Sequence, residues 1–222
     1  IASSLVGSEM CIRDRLSKSL RSFPEKWHGL KDKETRFRQR YLDLIVNPES
    51  KKILETRSKV IKLIREYLHE NSFVEVETPI LQTKAGGAIA KPFTTHHNAL
   101  GLDMYLRIAP ELYLKRLIIG GFEKVFELGK IFRNEGIDQT HLPEFTMLES
   151  YQAYVDADSV MDMVEDMCTY VFKNLETDTK LNFGENTADF SGPWKRVSMF
   201  DMVSQNLNLD IKFNSDFNKI SK

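Results

Sequence analysis

Cysteine is scarce, with Cys11 and Cys168 the only two in 222 residues. Two thiols can build neither a disulfide framework nor a four-ligand zinc site, and such sparing use favours a reducing, cytoplasmic setting. Neither sign of charge dominates, because 31 lysines and arginines face 32 aspartates and glutamates. A general polyanion-attracting field is excluded, and any nucleic-acid contact has to come from a local patch. No run approaches the roughly 20 consecutive apolar residues of a membrane span, so no membrane partner is expected. The glycine-rich phosphate loop ending in Gly-Lys-Ser/Thr is missing, and so are internal repeats and low-complexity tracts. What remains is 41% apolar and 28% charged. That is the make-up of a soluble globular domain large enough to bury a core.

The opening stretch Ile1–Arg15 (IASSLVGSEMCIRDR) has no helical or strand period, and it lacks the basic start and longer apolar core of a secretory signal. It resembles translated sequencing-library adapter, with a native disordered tail as the other reading. Residues 1–15, Cys11 among them, are therefore set aside from functional reasoning.

Residues 16–46 are dense in charge and aromatics and read as a connector followed by a basic helix from about Lys33 to Leu44. A solvated helix face is the plain account of its arginines. Asn47-Pro48 then supplies a capping side chain and a proline at the first helical position. Behind it Ile53, Val60, Ile64 and Tyr67 recur at helical spacing, and Leu54, Ile61 and Leu68 widen the stripe. A half-buried strand, Phe73–Glu77, stops at Thr78-Pro79.

Gly86-Gly87 marks a loop where backbone must turn or come close to something. Met104–Ala109 reads as a strand, and Pro110 opens a helix, ELYLKRLII, closed by Gly120-Gly121. Strands at about Lys124–Arg133 and Glu144–Val155 are joined by a loop too long for a tight hairpin, and such loops are often functional. Asp156 and Asp158 introduce a helix with an apolar stripe of Val160, Val164, Met167, Cys168, Val171 and Leu175. Cys168 is read there as core, not nucleophile. A hairpin turning at Gly184–Asn186 and a helix from Met199 follow. The pattern predicts an α+β fold, an antiparallel β-sheet flanked by helices.

The sharpest chemistry lies on the long strand pair: Phe132-Arg133-Asn134-Glu135 at one strand end, His141 in the loop, and Phe145 early in the next strand. An arginine there can fork onto phosphate or carboxylate. Phe145 offers a flat face for a base, and His141 can reach further phosphate oxygens. Together they describe a nucleoside triphosphate pocket built without a phosphate loop. An ordinary charged strand end beside a core aromatic is the competing account, since short motifs are weak evidence.

FRNE followed by HLPEF resembles motif 2 of the class II aminoacyl-tRNA synthetases. The helix and strand ending in Val76-Glu77-Thr78-Pro79 resemble their motif 1. The intervening GGAIAKPFTTHHNALGLDMYLRIAPELYLKRLIIGGFEKVFELGKIFRNEG is similar to the lysine-specific branch almost throughout. The resemblance runs from about Leu16 to the end and is densest from Phe73 to Tyr154. It implies that 16–46 is the connector from an anticodon-binding domain, and that 47–222 is a partial catalytic domain with motifs 1 and 2.

By that resemblance the substrates are ATP, lysine and tRNA. The lysine carboxylate attacks the α-phosphorus in line, with positioning and charge neutralisation supplying most of the catalysis. Arg133 would bridge the α-phosphate and the carboxylate, and Glu135 would hold the motif 2 loop and contact the nucleotide or the tRNA end. His141 would reach the terminal phosphates, and Phe145 would stack under adenine. Glu111 is implied at the α-amino group of lysine, with Gly87 lining the same pocket. Glu149 and Tyr151 are implied beside the side-chain ammonium, a cation that is costly to bury unpaired.

The resemblance further implies a homodimer through about 48–79. Motif 3 and the magnesium ligands are expected beyond Lys222, so no metal ligand is assigned here and the isolated chain is expected to be inactive. Leu142 stands where asparagine is more usual beside the histidine. The alternatives are a non-catalytic synthetase-like binding module, or a ligase that attaches lysine to elongation factor P.

Overall fold

The computed structural model describes residues 30–138, 140–175 and 177–208, which divide into two compact units at the Ser58/Lys59 boundary. The adapter-like segment, Cys11 and connector residues 16–29 lie outside the described residues.

The first unit contains α1 (Lys33–Arg38), α2 (Arg40–Val46) and the start of α3 (Pro48–Glu70). Asp32 caps α1, its carboxylate accepting from the Thr35 amide at 2.7 Å. The single basic helix expected over 33–44 is corrected to two short ones, broken at Gln39. The reason is Asp43, whose side chain is fully enclosed. It accepts from Arg36 Nε at 2.7 Å, Arg40 Nη1 at 2.6 Å and Asn47 Nδ2 at 2.6 Å. On an unbroken helix Arg36 would stand two turns, roughly 10 Å, from Asp43. The break closes that gap and also lets Arg36 donate to Ser50 Oγ at 3.0 Å. Arg36 and Arg40 are thus anchors, whereas Arg38 is a surface residue paired with Glu34. The Asn47 amide is turned back toward Asp43 and Leu30.

In the second unit, β1 (Val74–Glu75), β5 (Lys124–Phe132) and β6 (Glu144–Gln152) form one sheet in the order β1-β5-β6. A second sheet is ordered β2 (Leu81–Gln82), β4 (Leu102–Leu106), β3 (Thr94–His97), and α4 (Glu111–Ile119) follows it in the chain. Helix α5 (Ala157–Leu175), the hairpin β7 (Lys180–Phe183) with β8 (Asn186–Asp189), and α6 (Met199–Leu207) complete the unit.

The α+β class holds, with one correction: the main sheet is mixed. β5 and β6 pair antiparallel from Lys124↔Gln152 to Phe132↔Glu144, but β1 runs parallel to β5. The crossover through β2–β4 and α4 returns the chain in the direction it left.

Strand alternation gives β5–β6 two chemically different faces. Phe126, Leu128 and Leu148 pack with Tyr67, Leu68 and Phe73 and with Met163, Met167 and Tyr170 of α5. The opposite face carries Glu127, Gly129 and Ile131 across from Glu149, Met147 and Phe145. The expected α5 stripe holds at Met167, Cys168 and Val171, but Val160 and Val164 are 42% and 38% exposed and Met163 packs inward in their place. Tyr67 decides this, donating to the Met163 carbonyl at 3.2 Å and meeting the Tyr170 ring at 5.6 Å. Cys168 is half-buried and burial pushes its thiol up, the opposite of an activated nucleophile. Among the described residues no helix is long and apolar enough to cross a membrane.

Candidate active site

The end of β5 and the loop to β6 enclose an open cleft of about 350 Å³, lined by Arg133, Glu135, His141, Leu142 and Phe145 with Gly136 and Thr140. All four residues expected around a nucleotide therefore share one cavity. The Ile131↔Phe145 register brings the ring beside the strand end, and the Arg133 guanidinium lies over it, 5.3 Å from the centroid. Arg133 is otherwise held loosely, its Nε and Nη2 each 3.4 Å from the Ile108 carbonyl.

Backbone contacts pin the loop between the strands. Arg133 N donates to the Pro143 carbonyl at 2.9 Å, and Asn134 N to the Lys91 carbonyl at 2.7 Å. Glu135 returns the second contact, its carboxylate accepting from Lys91 N at 3.3 Å. At the loop tip Asp138 accepts from the amides of Thr140 and His141 at 2.7 and 2.8 Å and lies 2.7 Å from His141 Nδ1. These contacts, the Thr140 amide foremost, hold its carboxyl well below the usual range. An ionised carboxylate can only accept, so Nδ1 carries the proton and the ring is oriented by Asp138. Sequence reading missed Asp138, although an aspartate two residues before a threonine is a recognisable side-chain turn.

The residues expected around an amino acid gather on the same sheet face. Gly87 adopts φ +87°, and a Cβ there would sit 2.9 Å from Glu111 Cβ and 3.1 Å from Ala109 Cβ. Only glycine lets this loop approach the start of α4 so closely. Glu111 is salt-bridged to Lys115 on the next turn. Glu149 accepts from the Tyr151 hydroxyl at 3.1 Å. Burial raises the Glu149 carboxyl; the Tyr151 hydrogen bond and Arg133 act against it, while Glu111 and Glu127 add to it. Burial pushes the Tyr151 phenol up as well, with the Glu149 charge adding to the effect. An acidic, partly desolvated cluster of this kind suits a cation.

Across the strands from Glu149 lies a network with no sequence signal. Arg107 and Glu127, 2% and 4% exposed, form a buried ion pair. Arg107 also donates to the Lys130 carbonyl at 2.8 Å and to Thr78 at 3.2 Å, while Thr78 Oγ1 donates to Glu127 at 2.6 Å. Any side chain at Gly129 would collide with the guanidinium. Removing one member of such a pair typically costs about 3–5 kcal/mol. Among the described residues no three His, Cys, Asp or Glu side chains converge as a metal site.

Residues 32–219 match the family described as tRNA synthetases class II (D, K and N). The chain is 54% identical over 210 residues to a lysine–tRNA ligase of Prochlorococcus marinus subsp. pastoris, covering 94% of the chain and 41% of that protein. It is 55% identical over 195 residues to the Clostridium tetani lysine–tRNA ligase, covering 88% of the chain and 39% of that protein. With the Dehalococcoides mccartyi lysine–tRNA ligase the identity is 56% over 195 residues, at the same coverage. The chain thus spans about two-fifths of the length of the curated relatives it matches.

Proposed function

The chain belongs to the class II tRNA synthetases, in the group serving aspartate, lysine and asparagine. From that premise we propose that it is part of the catalytic domain of an enzyme that activates lysine with ATP and transfers it to tRNA. The lysine carboxylate, ionised at neutral pH, attacks the α-phosphorus in line and pyrophosphate leaves, so no general base is required. A hydroxyl of the tRNA 3′ end then attacks the acyl carbon and releases AMP.

One observation carries the reading: Arg133 stands between two chemically distinct halves of a single site. On one side it covers Phe145 in the cleft with Glu135 and His141; on the other its charge acts on Glu149. A planar fork there can hold the α-phosphate and the substrate carboxylate together as charge builds in the transition state. Phe145 stacks adenine, His141 meets the outer phosphates, and Glu135 keeps the loop in place. Glu111 takes the α-amino group against the Gly87 backbone, and Glu149 with Tyr151 takes the side-chain ammonium.

Magnesium accompanies ATP in this chemistry. Among the described residues no three-ligand set for it converges. The protein acts in the cytoplasm as a homodimer joined through about 48–79. Ile53 and Leu54, 66% and 46% exposed on α3, supply apolar surface for that contact.

The test is lysine-dependent ATP–pyrophosphate exchange by the full-length gene product, alongside Arg133→Ala. Exchange that needs lysine and vanishes in the variant supports the reading. Exchange with aspartate or asparagine instead of lysine, or none with any amino acid, overturns it.

A further inference from the structure

Glu127 and Glu149 are direct cross-strand partners on the site face of β5–β6. Two carboxylates so placed repel, and the arrangement is unfavourable unless one is neutralised. Glu127 is neutralised from below: Arg107 pairs with Oε1, and the Thr78 hydroxyl and amide donate to Oε2 at 2.6 and 3.2 Å. The arginine fits because position 129 is glycine, which leaves room for the guanidinium. Both carboxylate oxygens of Glu127 are thus occupied inside the protein, whereas among the described residues the Glu149 carboxylate accepts from the Tyr151 hydroxyl alone.

Resting on the lysine-activating reading, we propose that the buried Arg107–Glu127 pair determines specificity for the lysine side chain. It cancels its own charge beneath the pocket and so leaves Glu149 as the negative end that receives the ammonium. Arg107 is a positioning residue: it touches no substrate and acts through Glu127 and Glu149. Its main chain makes a distinct contact that side-chain substitution leaves in place, the Arg107 carbonyl accepting from Phe132 N at 3.0 Å. The sign of the charge left behind when the pair is broken therefore controls lysine binding, while ATP binding depends on the separate cleft at the strand end.

The experiment measures KM for lysine and for ATP, kcat, and melting temperature in the full-length protein. Glu127→Gln leaves a net positive guanidinium under the ammonium and is expected to raise the lysine KM on the order of tenfold. The ATP KM should stay within about twofold, since the cleft is not altered. Adding Arg107→Gln restores neutrality and is expected to bring the lysine KM back toward the parent value, even if melting falls further. A structural role alone predicts the reverse, with the double variant worse than the single in every constant.

Should Glu127→Gln fail to fold, Arg107→Lys keeps the charge while losing the fork. It is expected to lower the melting temperature but leave the lysine KM within a few-fold. Lysine and ATP constants that rise together, or a double variant that does not recover, overturn the proposal and leave the activity reading intact. A parent protein without lysine-dependent exchange overturns both.

Discussion

The Arg133 guanidinium rests on the ring of Phe145, 5.3 Å from its centroid, and its Nε and Nη2 each reach the Ile108 carbonyl at a long 3.4 Å. The ring face proposed for adenine is thus occupied by the residue proposed for the α-phosphate. Nucleotide binding would exchange one stacking partner for another and swing the arginine toward the phosphates. Arg133→Lys keeps the charge but loses the fork, and kcat for exchange is expected to fall on the order of a hundredfold. Phe145→Leu should raise the ATP KM by roughly tenfold, the value of one lost stacking contact, and leave the lysine KM unchanged. Steady-state exchange kinetics on the two variants check both statements.

Gly87 faces a tighter constraint. Gly87→Ala must accept a left-handed backbone, worth about 1–2 kcal/mol, and must also push its Cβ away from Glu111. A lower denaturation midpoint and a raised lysine KM are expected together. Gly136→Ala, where an added Cβ meets nothing within 4 Å, should change stability by less than about 0.5 kcal/mol.

Asp43 makes the first unit acid-sensitive. Its carboxyl is held well below the usual range, first by Asn47, against burial, and then by Ser50, Arg36 and Arg40. A depressed folded-state value contributes stability that is fully present above the unfolded carboxylate value near 4 and is lost as pH falls below it. Amide exchange in 33–50 is expected to accelerate below about pH 4. Asp43→Asn should show that faster exchange already at neutral pH and abolish most of the acid dependence. A variant that keeps wild-type protection and acid response would refute this.

Asp138 orients His141 without reaching the cleft wall itself. Asp138→Ala is expected to raise the ATP KM several-fold, while the lysine KM and the melting temperature stay near the parent values. An equal rise in both constants would mean that the loop as a whole had been lost.

Much of this protein could be read locally. Pro110 before Glu-Leu-Tyr-Leu and Gly120-Gly121 after Ile119 bracket α4 within a residue of its bounds, because helix ends are set by cap chemistry within one turn. The strands read at about Lys124–Arg133 and Glu144–Val155 contain β5 and β6, and the period of two already puts Phe145, Glu149 and Tyr151 on one side of a strand. The motif 2 stretch could be recognised because cleft residues Arg133, Glu135, His141 and Phe145 lie within 13 positions. Tertiary structure alone decided the rest. β1 runs parallel because of where a distant crossover returns it, and α5 turns its Met163 side inward because Tyr67 waits there. In a chain with 31 basic and 32 acidic residues, nothing local marks Asp43, Arg107 or Glu127 as the charges to be buried. A buried charge is tolerable only where partners converge on it, and for Arg107 and Glu127 those partners come from Thr78 and from each other across 20 positions.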